Sequence, residues 1–148
     1  MKTQMPARKR IALVAHDGCK PQLMEWAQRH ADALAQHELY ATGTTAERLA
    51  QALKLPIQAF LSGPMGGDQQ MGARIAEGEL DILVFFWDPM SQQPHDPDIK
   101  ALLRIAAVWN VPVACNAASA DFMFASPLLA QPYPREVLDY SAYQASRR

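Results

Sequence analysis

Cysteine is scarce in this sequence: Cys19 and Cys115 are the only two in 148 residues, and they form no C-x-x-C pair. Two are too few for a disulfide framework, so both are expected as reduced thiols in a reducing compartment. Neither sign of charge is in excess, with 14 basic and 15 acidic side chains and a formal net charge of −1. That balance gives no electrostatic reason to expect nucleic acid or an anionic membrane as partner. A bound anion would have to be held by local geometry. Long hydrophobic runs are missing as well. The amino terminus, MKTQMPARKR, is basic, but the apolar run Ile11 to Ala15 ends at His16 and Asp17. A secretory signal needs about 7–15 apolar residues and a membrane span about 18, so a cytoplasmic protein is expected.

Several catalytic signatures are also absent. No G-x-G-x-x-G follows the first strand, so a dinucleotide has no cradle. No Walker sequence occurs, and Ser62 lacks the G-x-S-x-G setting of a nucleophile elbow. His16, Asp17 and Cys19, with His95, Asp96 and Asp98, make a superficial metal set. No H-x-x-x-H or C-x-x-C spacing fixes a first ligand pair, so no metal is expected. The composition that remains, 49% hydrophobic and 20% charged, is that of a globular chain. Its length fits one domain spanning 1–148, without linker or internal repeat.

What is present is an alternation. Short apolar runs at Ile11–Ala15, His37–Ala41, Ile57–Leu61, Asp81–Trp87 and Val111–Ala114 read as strands. ILVFF, within Asp81–Trp87, is the most apolar stretch and the best candidate for a central strand. Helical spacing fills the intervals: from Cys19 or Lys20, with Pro21 in the first turn; through Leu49 and Leu53, capped by Thr44 or Thr45; from Asp68 to Glu77, stopped by Gly78; from Pro97 to Trp109, with Leu102, Leu103, Ile105, Ala106 and Trp109 buried; and from Ala117 to Ala125. The tail after Ser126 is proline-rich and carries no assigned element. Such alternation predicts an α/β fold with a mainly parallel sheet flanked by helices. Ligands bind such sheets at the carboxyl ends of the strands, and there the polar clusters fall.

Thr42-Gly43-Thr44-Thr45 offers three hydroxyls and the free N–H groups of a helix start, which suit a phosphate. Ser62-Gly63 adds a hydroxyl and close backbone approach, and Lys20 a positive charge. The same residues also serve simply as helix cap and turn. Asp68 opens a helix, where an acid is favourable in any case. Asp88, His95, Asp96 and Asp98 crowd one loop, which is also how a solvated surface loop looks. His16 directly follows the first strand, where a structural hydrogen bond is an equal explanation.

IALVAHD (Ile11–Asp17), LYATGTT (Leu39–Thr45), SGPMGGDQQ (Ser62–Gln70) and FFWDPMSQQPHDPDIKALLR (Phe85–Arg104), continuing through WNVPVACN, together resemble the methylglyoxal synthase family over roughly residues 8 to 125. The resemblance implies a Rossmann-like domain, a homohexamer and a lyase that needs no cofactor. That lyase converts dihydroxyacetone phosphate to methylglyoxal and inorganic phosphate in a bypass of glycolysis. It implies Asp68 as the base, and His95 as the group at the substrate oxygens, held by an acid of its own loop. It further implies Asp98 and Asp88 as active-site acids, His16 and Lys20 as substrate-binding groups, and Thr42, Gly43, Thr44, Thr45, Ser62 and Gly63 as the phosphate cradle. Arg147 aligns by spacing with a tail arginine that reaches a neighbouring subunit's phosphate site, although the tail around it differs. Cys19 and Ser91-Gln92-Gln93 also depart from the family pattern. Inorganic phosphate, as product, is the expected inhibitor. The alternative is a non-catalytic regulatory domain of the same fold, which binds a phosphate ligand and has no need of Asp68 or His95.

Overall fold

In the computed structural model, which describes residues 1–148, the alternation resolves into seven strands and seven α-helices. In chain order these are β1 (Lys2–Met5), β2 (Arg10–Ala15), α1 (Lys20–Arg29), α2 (Ala31–Leu34), β3 (Glu38–Thr42), α3 (Gly43–Leu53), β4 (Ile57–Phe60), α4 (Gly67–Ala76), β5 (Ile82–Phe86), α5 (Asp96–Val108), β6 (Val113–Ala114), α6 (Ala117–Ala125), β7 (Tyr133–Glu136) and α7 (Tyr140–Ser146). Five strands form one parallel sheet in the order β4-β3-β2-β5-β6. The chain thus winds outward from β2 in one direction, then crosses over to β5 and winds in the other. At that reversal the first turns of neighbouring crossovers diverge and leave a crevice above the strand ends.

Strand alternation divides the core into two layers. Ile11, Leu13 and Ala15 of β2, with Ile82, Val84 and Phe86 of β5, meet Leu23, Trp26 and Ala27 of α1, Leu49 of α3 and Ala120 of α6. Ala12 and Val14, with Leu83 and Phe85, face the other way, onto Met71 and Ile75 of α4 and Ile99, Leu102 and Ala106 of α5. Both faces being covered explains why these strands read as unbroken apolar runs. Fully burying one Leu or Phe of this kind contributes roughly 1.5–3 kcal/mol.

ILVFF, in β5, is an inner strand as expected, flanked by β2 and β6. Three expectations need correction. The cap position of α3 is Thr42, whose side chain makes no capping bond, rather than Thr44 or Thr45. Gly43, at φ +52°, turns the chain at once from strand to helix, so Thr44 and Thr45 fall inside the first turn. On α5 the buried stripe is Ile99, Leu102 and Ala106, with Leu103, Ile105 and Trp109 only partly covered. The tail is also structured: a 3-10 turn (Pro127–Ala130) leads into β7, which pairs antiparallel with β1, and α7 follows, capped by Asp139. No helix is long and apolar enough to cross a membrane.

Candidate active site

The carboxyl ends of β2, β3, β4 and β5 open into one cavity of about 450 Å³. Two backbone segments form one wall. The first is Thr42-Gly43-Thr44-Thr45, entering α3; the second is Ser62-Gly63-Pro64, after β4. They are packed together: a Cβ on Gly43 would stand 3.1 Å from that of Ser62. Thr42 and Thr45 are buried, and the first-turn N–H groups of α3 have no intrahelical acceptor. Lys20, in the first turn of α1, also lines the cavity; its Nζ lies 2.9 Å from Asp17 Oδ1.

Asp68 lines the cavity beside Gly63 of this wall. It sits in the first turn of α4, whose start packs so closely on the β4 end that only glycine fits at position 67: a Cβ there would come within 2.1 Å of the Leu61 carbonyl oxygen. Gln70 Oε1 accepts the Leu61 N–H at 2.8 Å and fastens the helix to the strand end. Asp68 is only 3% exposed, and its Oδ2 accepts no hydrogen bond within the protein. Burial pushes its pKa above the ordinary carboxylate value; the nearby His95 pulls it down and Asp98 pushes it up. An unpaired, desolvated carboxylate is a stronger base than one in water. His95 Nε2 stands 3.9 Å from Asp68 Oδ2, too far for a hydrogen bond but close enough to share a ligand atom. Gly63 lies at this junction: a Cβ there would be 3.2 Å from His95 Nε2 and 3.3 Å from Asp68 Oδ1.

Two imidazoles complete the cavity. His16 is 7% exposed and packs edge-on to the ring of His95, with centroids 5.8 Å apart. The backbone N–H of Asp88 donates to His16 Nδ1 at 3.0 Å. With Nδ1 the acceptor, the neutral ring carries its proton on Nε2, and that buried atom has no partner in the protein. Burial first, and His95 second, push the His16 pKa down and favour this neutral form. The fixed result is a lone, buried N–H donor on a residue that lines the cavity. His95 differs from expectation: no acid of its loop holds it, and its buried Nδ1 makes no hydrogen bond. Asp96 instead accepts the Gln93 N–H at 3.3 Å, and Asp98 donates its backbone N–H to the His95 carbonyl at 2.9 Å.

Ten of the thirteen residues singled out from sequence therefore line one cavity: His16, Lys20, Thr42, Gly43, Thr44, Thr45, Ser62, Gly63, Asp68 and His95. Three do not. Asp98 lines a separate cleft behind Asp68, between α4 and α5. Asp88 contributes its amide to His16, while its carboxylate accepts the Met90 N–H at 3.1 Å. Arg147 caps the end of α7, its guanidinium 5.7 Å from the Tyr143 ring centroid, away from the cavity of its own chain. Asp17, weighed from sequence only as a metal ligand, and Glu47, Pro64 and Gln93, which were given no role, also line the cavity. Asp17 and Pro64 lie within the family-like strings and Gln93 in the stretch that departs from them; Glu47 carried no signal.

A buried carboxylate, two imidazoles and a helix start meet in one crevice of a Rossmann-like sheet, which is the arrangement of an enzyme site. The MGS-like domain family matches residues 22–115. The chain is 58% identical over 143 residues to a methylglyoxal synthase of Saccharophagus degradans, covering 97% of this chain and 93% of that protein. It is 59% identical to one of Vibrio parahaemolyticus, covering 97% and 95%. The crystal structure of a methylglyoxal synthase from Elizabethkingia anophelis superposes with a TM-score of 0.91 at 48% identity, over 97% of this chain and 95% of that one. The chain belongs to the methylglyoxal synthase family of enzymes.

Proposed function

We propose that this enzyme converts dihydroxyacetone phosphate to methylglyoxal and inorganic phosphate, with Asp68 as the base. The observation that carries the reading is the meeting, in one cavity, of a buried unpartnered carboxylate with hydroxyls and helix-start amides that have no partner in the protein. Asp68 takes a proton from the hydroxymethyl carbon, leaving an enediolate. His95 and the Nε2–H of His16 donate to its oxygens; removal of one such donor typically costs about 2.7–4 kcal/mol of barrier. Thr42, Gly43, Thr44, Thr45, Ser62 and Gly63 hold the phosphate, with Lys20 supplying charge. The ester C–O bond must stand perpendicular to the enediolate plane to be expelled. The cradle sets that angle, and positioning of this kind is worth up to about 7–11 kcal/mol. The enol that remains tautomerises to the product.

Asp98 acts from behind by its charge on Asp68, and Asp88 by holding the His16 tautomer. Lys20 is partly neutralised by Asp17, so a phosphate dianion calls for a further cation. We assign that cation to Arg147 of a neighbouring subunit in a homohexamer working in the cytoplasm.

The test is direct. Purified protein given dihydroxyacetone phosphate is expected to release dicarbonyl product and phosphate in equal amounts, and added inorganic phosphate is expected to inhibit. Formation of the aldose isomer without phosphate release would make the protein an isomerase, and an inert protein that still binds phosphate would make it a regulatory domain.

A further inference from the structure

Three groups from one short stretch, Phe85 to Asp88, hold His16. The Phe86 carbonyl accepts the His16 N–H at 3.2 Å and fixes its backbone. The Asp88 N–H donates to Nδ1 at 3.0 Å and fixes the tautomer. The Phe85 side chain closes on the imidazole itself: the two rings stand at 89°, with centroids 5.3 Å apart. That edge contact is a favoured geometry for aromatic pairs. It is built into the sheet. Phe85 pairs with Val14 in the β2–β5 register, and alternation carries His16 to the same face as Val14. Phe85 is 1% exposed and belongs to the core layer under α4 and α5, yet it also lines the cavity. No role assigned so far uses it.

A hydrocarbon ring packed on the imidazole denies its charged form the water that would solvate it. Burial is the largest influence on the His16 pKa and lowers it. His95 lowers it further, while Asp88, Asp96 and Asp17 act in the opposite sense. Protonation would turn Nδ1 from acceptor to donor, set it against the Asp88 N–H and break that bond. The ring would then be free to swing, and Nε2–H would lose its direction.

We infer that Phe85 is a positioning residue for the reaction: its ring keeps the His16 imidazole dry and in one orientation, so that Nε2–H stays available to the substrate. The inference rests on the function proposed above, in which His16 is a donor to the enediolate.

The experiment is the pH profile of kcat, per folded molecule, for Phe85→Leu and Phe86→Leu in the wild-type and His16→Gln backgrounds. Phe85→Leu admits water beside His16, so its acid limb should move to higher pH. The expected loss of kcat is about tenfold near pH 6 and no more than about threefold near pH 8, where His16 is neutral in both proteins. Inhibition by inorganic phosphate should stay within about twofold of wild type, because the cradle is untouched. Phe86→Leu removes the same volume one residue on, in the opposite layer, where Phe86 meets Trp26 with centroids 6.0 Å apart. It should lower Tm and leave the pH profile in place. In the His16→Gln background, Phe85→Leu should cost less than about twofold, since nothing remains for it to position.

A Phe85→Leu profile that matches wild type overturns the inference. So does an equal displacement in Phe86→Leu, which would make the effect one of packing. A full tenfold loss that persists in the His16→Gln background overturns it too, since Phe85 would then act elsewhere. Should Phe85→Leu not fold, Phe85→Met removes the ring but fills the space with an adaptable chain, and the same comparisons apply. A wild type that releases no dicarbonyl defeats the proposed function itself; an active wild type with an unaffected Phe85→Leu defeats this inference alone.

Discussion

The two ends of the parallel sheet bury polar and charged groups alike, and treat them in opposite ways. At the amino ends of the strands, nearly every such group is paired. Asp81, 1% exposed, receives the Arg10 N–H at 2.8 Å and a two-pronged guanidinium at 3.0 and 3.1 Å. Lys9, equally buried, donates through Nζ to the carbonyls of Pro6 and Gln131 at 2.6 Å, and its backbone N–H reaches His37 Nδ1. Arg135 reaches the Trp109 carbonyl, with only its Nε left over. At the carboxyl ends, His16 Nε2, Asp68 Oδ2 and His95 Nδ1 are buried with nothing to bond. Leaving a buried polar group unpaired costs about 1–3 kcal/mol. The lower end uses its charges to hold the structure together, clipping the β1–β7 ribbon to the sheet. The upper end leaves its polar groups unpaired, as the proposed function requires.

If that contrast is right, substitutions at the two ends should separate activity from stability. Asp68→Asn is expected to lower kcat by about 10²–10⁴-fold while phosphate binding persists. The same change should raise Tm. A carboxyl whose folded pKa lies above its unfolded value adds stability only at low pH, and loses it as pH rises through the folded value. At neutral pH, ionised Asp68 is therefore a cost that the amide removes, at about 2–4 °C per kcal/mol recovered. For the wild type, the acid limb of kcat/KM should fall above the ordinary carboxylate value of about 3.9. A Tm that drops in Asp68→Asn would show that this carboxylate belongs with the structural charges.

Asp81→Ala should do the reverse. Stranding the Arg10 guanidinium is expected to cost about 3–5 kcal/mol of stability, read by urea denaturation, with kcat per folded molecule unchanged. Gly63→Ala is the smallest of the three. Its methyl group would crowd His95 Nε2 and Asp68 Oδ1 without entering the core, so Tm should hold while kcat falls by up to about 10²-fold. Equal losses in Tm and kcat would argue that Gly63 serves packing instead.

The elements that sequence made legible are those whose signal is local. β2 and β5 read as buried strands because two covered faces leave no polar alternation, and Pro21 and Gly78 mark helix ends through their own backbone constraints. The β1–β7 ribbon left no such mark. Its two short strands lie at opposite ends of the chain and pair only with each other, so neither is a strand until the other arrives. The site divides along the same line. Residue types and spacing placed ten residues at one edge. They did not reveal that Asp88 contributes an amide rather than a carboxylate, that no acid supports His95, or that Gln93 reaches the cavity.

By itself, the sequence determined the alternating α/β architecture, the polar character of the strand ends and, through its motifs, the family, because each is written in neighbouring residues and their period. Only the tertiary structure decided which buried groups are paired and which are left open. Hydrogen-bond satisfaction and desolvation depend on atoms brought together from distant segments, so the same aspartate type becomes a structural anchor at Asp81 and an unpaired, desolvated carboxylate at Asp68.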